Sequence, residues 1–67
     1  MEYSTKLSNH WIKHMISLPE SGMGYQIVEI VGRSGLVYNG VVLNCSTLSS
    51  DEPLPHTLDI IDISISQ

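Results

Sequence analysis

Tyr25-Gln26-Ile27-Val28-Glu29-Ile30-Val31-Gly32-Arg33-Ser34-Gly35-Leu36-Val37-Tyr38-Asn39-Gly40-Val41-Val42-Leu43 is the stretch that decides the fold. Tyr25 to Val31 is rich in β-branched residues and bounded by glycines, so it reads as a strand. Its apolar residues fall on both faces, which predicts a central strand covered on both sides for part of its length. Gly32-Arg33-Ser34-Gly35 reads as a turn, and Leu36 to Leu43 as a second strand whose pattern extends to Cys45. Asn39-Gly40 competes for the turn, because Asn-Gly is the strongest short hairpin signal. Two hairpins therefore stand open. One turns at Arg33-Ser34 with Gly40 as a mid-strand bend; the other turns at Asn39-Gly40 itself. The first is preferred, since it pairs strands of matched length and a mid-strand glycine commonly marks a sharp bend.

Working outward, Pro19-Glu20-Ser21-Gly22-Met23-Gly24 is the clearest loop, with a proline that cannot donate to a ladder and two glycines. His10 to Leu18 is ambiguous. Trp11, Ile12, Met15 and Ile16 sit at helical spacing, but Ile12, Ile16 and Leu18 also share one strand face, with Lys13 and Ser17 opposite. A helix this short is marginal alone, so the reading leans to a strand beginning near Lys13. Residues 1–9 are polar and expected to fray. Ser46 to His56 reads as a loop with room for a short strand around Thr47-Leu48. In the last segment Ile61, Ile63 and Ile65 share one face and are the expected core, with Asp62 and Ser64 on the other. The adjoining Ile60-Ile61 breaks that alternation and predicts a bulge or a short turn before the strand proper. The sum is one mainly β domain spanning residues 1–67, a small, strongly bent antiparallel sheet or barrel of about four to five strands. The C-terminal strand has low charge and high β-propensity, so it is expected to close the barrel or to pair with another chain.

Val28 to Leu43, read as strand, glycine turn, then apolar-x-aromatic-x-glycine, resembles the pattern of Sm-like and SH3-like small barrels. The likeness implies such a barrel and, for an Sm-type ring, nucleic-acid binding. The departures are specific. The family's base-binding loop carries an Asp and a Met-Asn pair, where this chain has Leu43-Asn44-Cys45-Ser46-Thr47. The family's second motif, with its Arg-Gly, has no counterpart near Leu58 to Ile65, so the RNA-binding residues do not carry over. Leu18 to Gln26 is similar to the openings of short bacterial proteins of no known activity, which implies a bacterial cytoplasmic protein.

Sixty-seven residues make one domain at most. A chain this short buries only roughly 60% of its unfolded surface and usually needs a staple or a partner. Cys45 is alone, so a disulfide scaffold is excluded, and a reducing cytoplasm is the expected compartment. No basic segment followed by an apolar one opens the chain, so no secretory signal is expected. No apolar run approaches the roughly 20 residues of a membrane helix. Lys6, Lys13 and Arg33 are outnumbered by seven carboxylates for a net charge of −4. Three dispersed cations cannot form the basic stripe that neutralises phosphates, which disfavours nucleic acid as a partner.

Every chemical constellation has a plainer counterpart. His10 and His14 would share a helix face, and Cys45 and His56 could complete a tetrahedral metal set, yet none of the paired ligand spacings is present. They read better as surface histidines and a thiol packing as a small hydrophobe. Ser21-Gly22-Met23-Gly24 precedes a strand rather than a helix, so it lacks the context of a phosphate loop. Asp59 and Asp62 would face opposite sides of a strand and cannot form a general acid–base pair. Trp11, Tyr25 and Tyr38 could make a stacking platform, although packing explains them as well. No catalytic residue and no cofactor is expected. The leading expectation is a non-enzymatic module that associates with itself or a protein partner through a strand edge, with Arg33, Tyr38 and Trp11 as interaction candidates. A nucleic-acid-binding Sm-like ring is the alternative, followed by a small metal-binding protein.

Overall fold

The computed structural model describes residues 2–66. Met1 and Gln67, which fall within the expected 1–67 domain, lie outside the described residues. In chain order the elements are β1 (Tyr3–Lys6), α1 (Asn9–Ile16), β2 (Tyr25–Gly32), β3 (Val37–Leu43), β4 (Thr47–Ser50), a 3₁₀ turn (Thr57–Asp59) and β5 (Ile60–Ile65). The strands form one antiparallel sheet in the order β1-β4-β3-β2-β5. It is mainly β, as expected. The sheet stays open rather than closing into a barrel, with β1 and β5 at its edges.

The β2–β3 hairpin turns where the preferred reading put it. Gly35 N–H donates to the Gly32 carbonyl at 2.9 Å, and Gly35 sits at φ +91°, a conformation open to glycine and strained for other residues. Val28 therefore pairs with Gly40, and Asn39-Gly40 lies in mid-strand. Gly40 is needed for a close approach: a Cβ there would stand 2.9 Å from the Ser49 carbonyl of β4 and 3.2 Å from Leu48 Cδ1. Gly40→Ala must push β4 outward against the core. The expected loss is about 1–3 kcal/mol, read as a fall in Tm by thermal unfolding followed by circular dichroism.

The second hairpin corrects the expectation that β3 runs on to Cys45. Asn44 and Cys45 both adopt positive φ, 53° and 59°, the signature of a type I′ turn, and Ser46 N–H donates to the Leu43 carbonyl at 3.1 Å. At the far edge the predicted bulge is present: Val31 pairs with Asp62 and Gly32 with Ile60, leaving Ile61 between them. It inverts the alternation before Asp62. Ile60 is buried while Ile61 is 54% exposed, so Ile61 is not the core residue it was expected to be; Ile63 is buried and Ile65 packs against the core.

One further expectation is overturned, and the N-terminal segment carries an unexpected strand. His10 to Leu18 contains a helix, α1, where a strand was favoured. Trp11 and Met15, one turn apart, bury one face of it against Val28, Ile30, Val42, Leu48 and Ile63. Lys13 and His14 lie in its last turn, where the helix dipole favours positive charge. In the N-terminal segment Tyr3 to Lys6 pair with Thr47 to Ser50, Leu7 N–H donates to the Ser46 carbonyl at 2.8 Å, and Leu7 is buried. Backbone pairing needs no apolar side chains, so a polar strand can be held at an edge by its ladder and one buried anchor.

The core lies between α1 and one face of the sheet. Gln26, Val28, Ile30 and Gly32 of β2 point into it, while Tyr25, Ile27 and Glu29 point away. The expectation that β2 is covered on both sides is thus corrected: among the described residues, one layer covers one face only.

Candidate interaction surface

Strand alternation gathers the second apolar set of β2 and β3 on the uncovered face. The cross-strand pairs there are Tyr25–Leu43, Ile27–Val41, Glu29–Asn39 and Val31–Val37. Tyr25, Ile27, Val37 and Leu43 are between 38% and 52% exposed, and Val31 and Val41 are half-buried. Six apolar side chains fill three of these four rows, and exposed apolar patches on small domains mark contact sites. Only one row, Glu29–Asn39, is polar. Ile27 and Val41 continue into an open groove of about 500 Å³ beside Asn39, Ser49 and Glu52. The groove wall is held by backbone anchors: Ser50 Oγ donates to the Asn39 carbonyl at 2.7 Å, and Asn39 N–H donates to Glu52 Oε1 at 3.1 Å.

The two sheet edges differ. On β5 the ladder to β2 uses the alternate residues that include Ser66, whose N–H donates to the Ile27 carbonyl at 2.8 Å, so Ile63 turns its carbonyl outward. His14 of α1 meets that carbonyl with Nε2 at 2.7 Å. A carbonyl can only accept, so Nε2 carries the proton. The helix thereby occupies part of the β5 edge. At β1, Leu7 N–H bonds to the Ser46 carbonyl just before β4, which leaves Ser4 and Lys6 turning their backbone groups away from the sheet.

The residues singled out in the sequence are dispersed. Arg33, in the β2–β3 turn, donates from Nη2 to the Leu58 carbonyl at 2.9 Å, and its Nε lies 3.8 Å from Asp59 Oδ1. Its charge is thus partly matched within the chain. Tyr38 is half-buried on the core face, its ring edge beside Gly32. Trp11 is buried in the core, its ring in edge contact with His10 and His14 at 4.9 and 5.4 Å. Tyr25 lies on the opposite face from Trp11 and Tyr38, so the three aromatics make no common platform. His10 and His14 do share α1, but Cys45 occupies the β3–β4 turn and His56 caps the 3₁₀ turn by accepting from Leu58 N–H at 3.2 Å. Among the described residues no three His, Cys, Asp or Glu side chains are grouped to hold a metal ion. No helix among them is long and apolar enough to cross a membrane.

Sequence reasoning missed the patch itself, although its signal was visible. Apolar residues on both faces of Tyr25 to Val31 fit a strand covered twice and a strand with one face left open equally well. It also passed over Gln26, whose side chain is buried. Gln26 Nε2 lies 2.9 Å from the Met15 carbonyl, 3.2 Å from that of Leu18 and 3.4 Å from that of Pro19, while Oε1 accepts from Cys45 Sγ at 3.6 Å. Every buried side-chain polar atom among the described residues has a partner. The chain matches no protein-family model, and no curated protein or solved structure is significantly similar to it.

Proposed function

We propose that the protein is a non-enzymatic protein-interaction module that binds through the uncovered face of its sheet. The observation that carries this reading is the patch of Tyr25, Ile27, Val31, Val37, Val41 and Leu43, apolar and open on a domain with few charges. Covering it removes apolar surface from water at about 25 cal/mol per Å², which gives a partner a reason to bind. The acidic balance speaks against a phosphate backbone as that partner, and the lone Cys45 fits a cytoplasmic setting. No cofactor and no chemical step enters the proposal.

A second reading, docking of a partner's strand along a sheet edge, is favoured at β1, where Ser4 and Lys6 turn their backbone groups outward and no strand lies alongside among the described residues.

A photoreactive amino acid placed at Val37, on the patch, tests the first reading in cells that express the protein. Ile16, exposed on the outer side of α1, is the control position. Protein adducts from position 37 and none from 16 are expected. Equal labelling from the two positions, or none from 37, overturns the reading.

A further inference from the structure

The geometry points to a second copy of this chain as the occupant of the patch, packed face to face about a two-fold axis that runs parallel to the strands over the gap between β2 and β3. This rests on the reading of that face as an interaction surface and adds the identity of what covers it.

The argument is the register. Rotating one chain by half a turn about such an axis lays its β2 over the β3 of the other at the same height along the strands. Each residue then sits over the copy of its own cross-strand neighbour. Tyr25 comes over Leu43, Ile27 over Val41 and Val31 over Val37, so apolar meets apolar in three rows of four. The fourth row discriminates between occupants. Among the described residues neither the Glu29 nor the Asn39 side chain has a hydrogen bond, and both stand in the middle of the patch. Burying them under an arbitrary apolar partner would strip water from a carboxylate and an amide with nothing in return. The two-fold places the Glu29 carboxylate of each chain over the Asn39 amide of the other, a donor for each acceptor, twice. A face whose complement is itself is what an isologous interface requires.

Sheet geometry agrees. Two sheets pack about 10 Å apart with strands crossing at roughly 30°, which keeps the central rows, Ile27–Val41 and Glu29–Asn39, in register. The molecule measures 30 × 23 × 21 Å. The four facing pairs of β2 and β3 are eight residues, fewer than the roughly 20–30 per side of a standard interface, so the dimer is a weak one. Charge sets a sign: each chain carries −4. Salt that screens the repulsion should tighten the dimer, whereas binding to a polyanion would weaken.

Sedimentation equilibrium of the full chain between about 1 and 500 μM, at low and high salt, is the first test. A monomer–dimer equilibrium is expected, tightened by salt and shifted at least tenfold towards monomer by Ile27→Asp or Val37→Lys, but not by Ile16→Asp. Circular dichroism confirms that each variant is folded, and the two patch substitutions back each other up should one fail to fold. The second test works in a Cys45→Ser background with a short bis-maleimide. A mixture of Ile27→Cys chains and Val41→Cys chains should cross-link between unlike chains faster than either variant links to itself. A monomer throughout the concentration range overturns the inference, as does a dimer insensitive to both patch substitutions or a mixture that links no faster than its components. Photo-adducts from position 37 with other proteins only, beside a monomer in sedimentation, would overturn the second copy as occupant and leave the interaction surface standing. No adducts at all would overturn that surface too.

Discussion

Met15→Ala is expected to destabilise the fold by about 3 kcal/mol and, in a domain of this size, to leave much of the population unfolded at 37 °C. Met15 is fully buried, the deepest point of contact between α1 and the sheet. Its removal leaves a cavity in the cluster that α1 forms with Val28, Ile30, Val42, Leu48 and Ile63, whose strands are held in the ladder and resist collapse inward. A chain of 67 residues has a total stability on the order of 3–10 kcal/mol, so one such cavity consumes a large share of it. Alanine is a better helix former than methionine by a few tenths of a kcal/mol, which opposes the loss only slightly and makes the substitution a clean probe of packing. Urea unfolding followed by tryptophan fluorescence reads it directly, because Trp11 lies one turn away on the same buried face. A midpoint unchanged from the parent chain would show that α1 is not docked as described.

Gln26→Leu is expected to cost about 2–3 kcal/mol although it places an apolar residue of similar volume in an apolar core. The Gln26 amide reaches the carbonyl of Met15, which also accepts from Leu18 N–H at 3.1 Å, and those of Leu18 and Pro19 just beyond the end of α1. Leucine removes the donor from all three carbonyls and the acceptor from Cys45 Sγ, and a buried polar group that loses its partner costs about 1–3 kcal/mol. The gain in apolar burial offsets part of this only. The effect should be local before it is global: in hydrogen exchange, the amides of α1 should lose protection ahead of those of β2 and β3. Uniform loss across the sheet, or no loss in α1, would contradict the capping role.

The same residue explains why His10 to Leu18 was misread. Within that segment, helical and strand spacings are nearly balanced, and eight residues do not form a stable helix alone. The decision comes from contacts distant in sequence: Gln26 satisfies the chain leaving the helix, His14 reaches the Ile63 carbonyl, and Trp11 and Met15 cover Val28 and Ile30. None of these is visible in a window of nine residues. Tyr3 to Lys6 is a parallel case, since its place at the edge depends on the backbone of β4 and on Leu7 finding the core.

The amino-acid sequence by itself determined the mainly β class, favoured the turn at Gly32 to Gly35 with Gly40 in mid-strand over a turn at Asn39-Gly40, and marked the break in alternation at Ile60-Ile61. Each is governed by local terms: β-branched side chains, positive-φ tolerance and side-chain parity act between neighbours. Only the tertiary structure decided that Tyr3 to Lys6 is a strand, that Asn9 to Ile16 is a helix, that the sheet stays open, and which of the two apolar faces of β2 is left bare. A strand with apolar residues on both sides carries no mark of which side its own chain will cover. That choice belongs to α1, whose single layer can bury one face and leaves Tyr25, Ile27, Val37 and Leu43 in water.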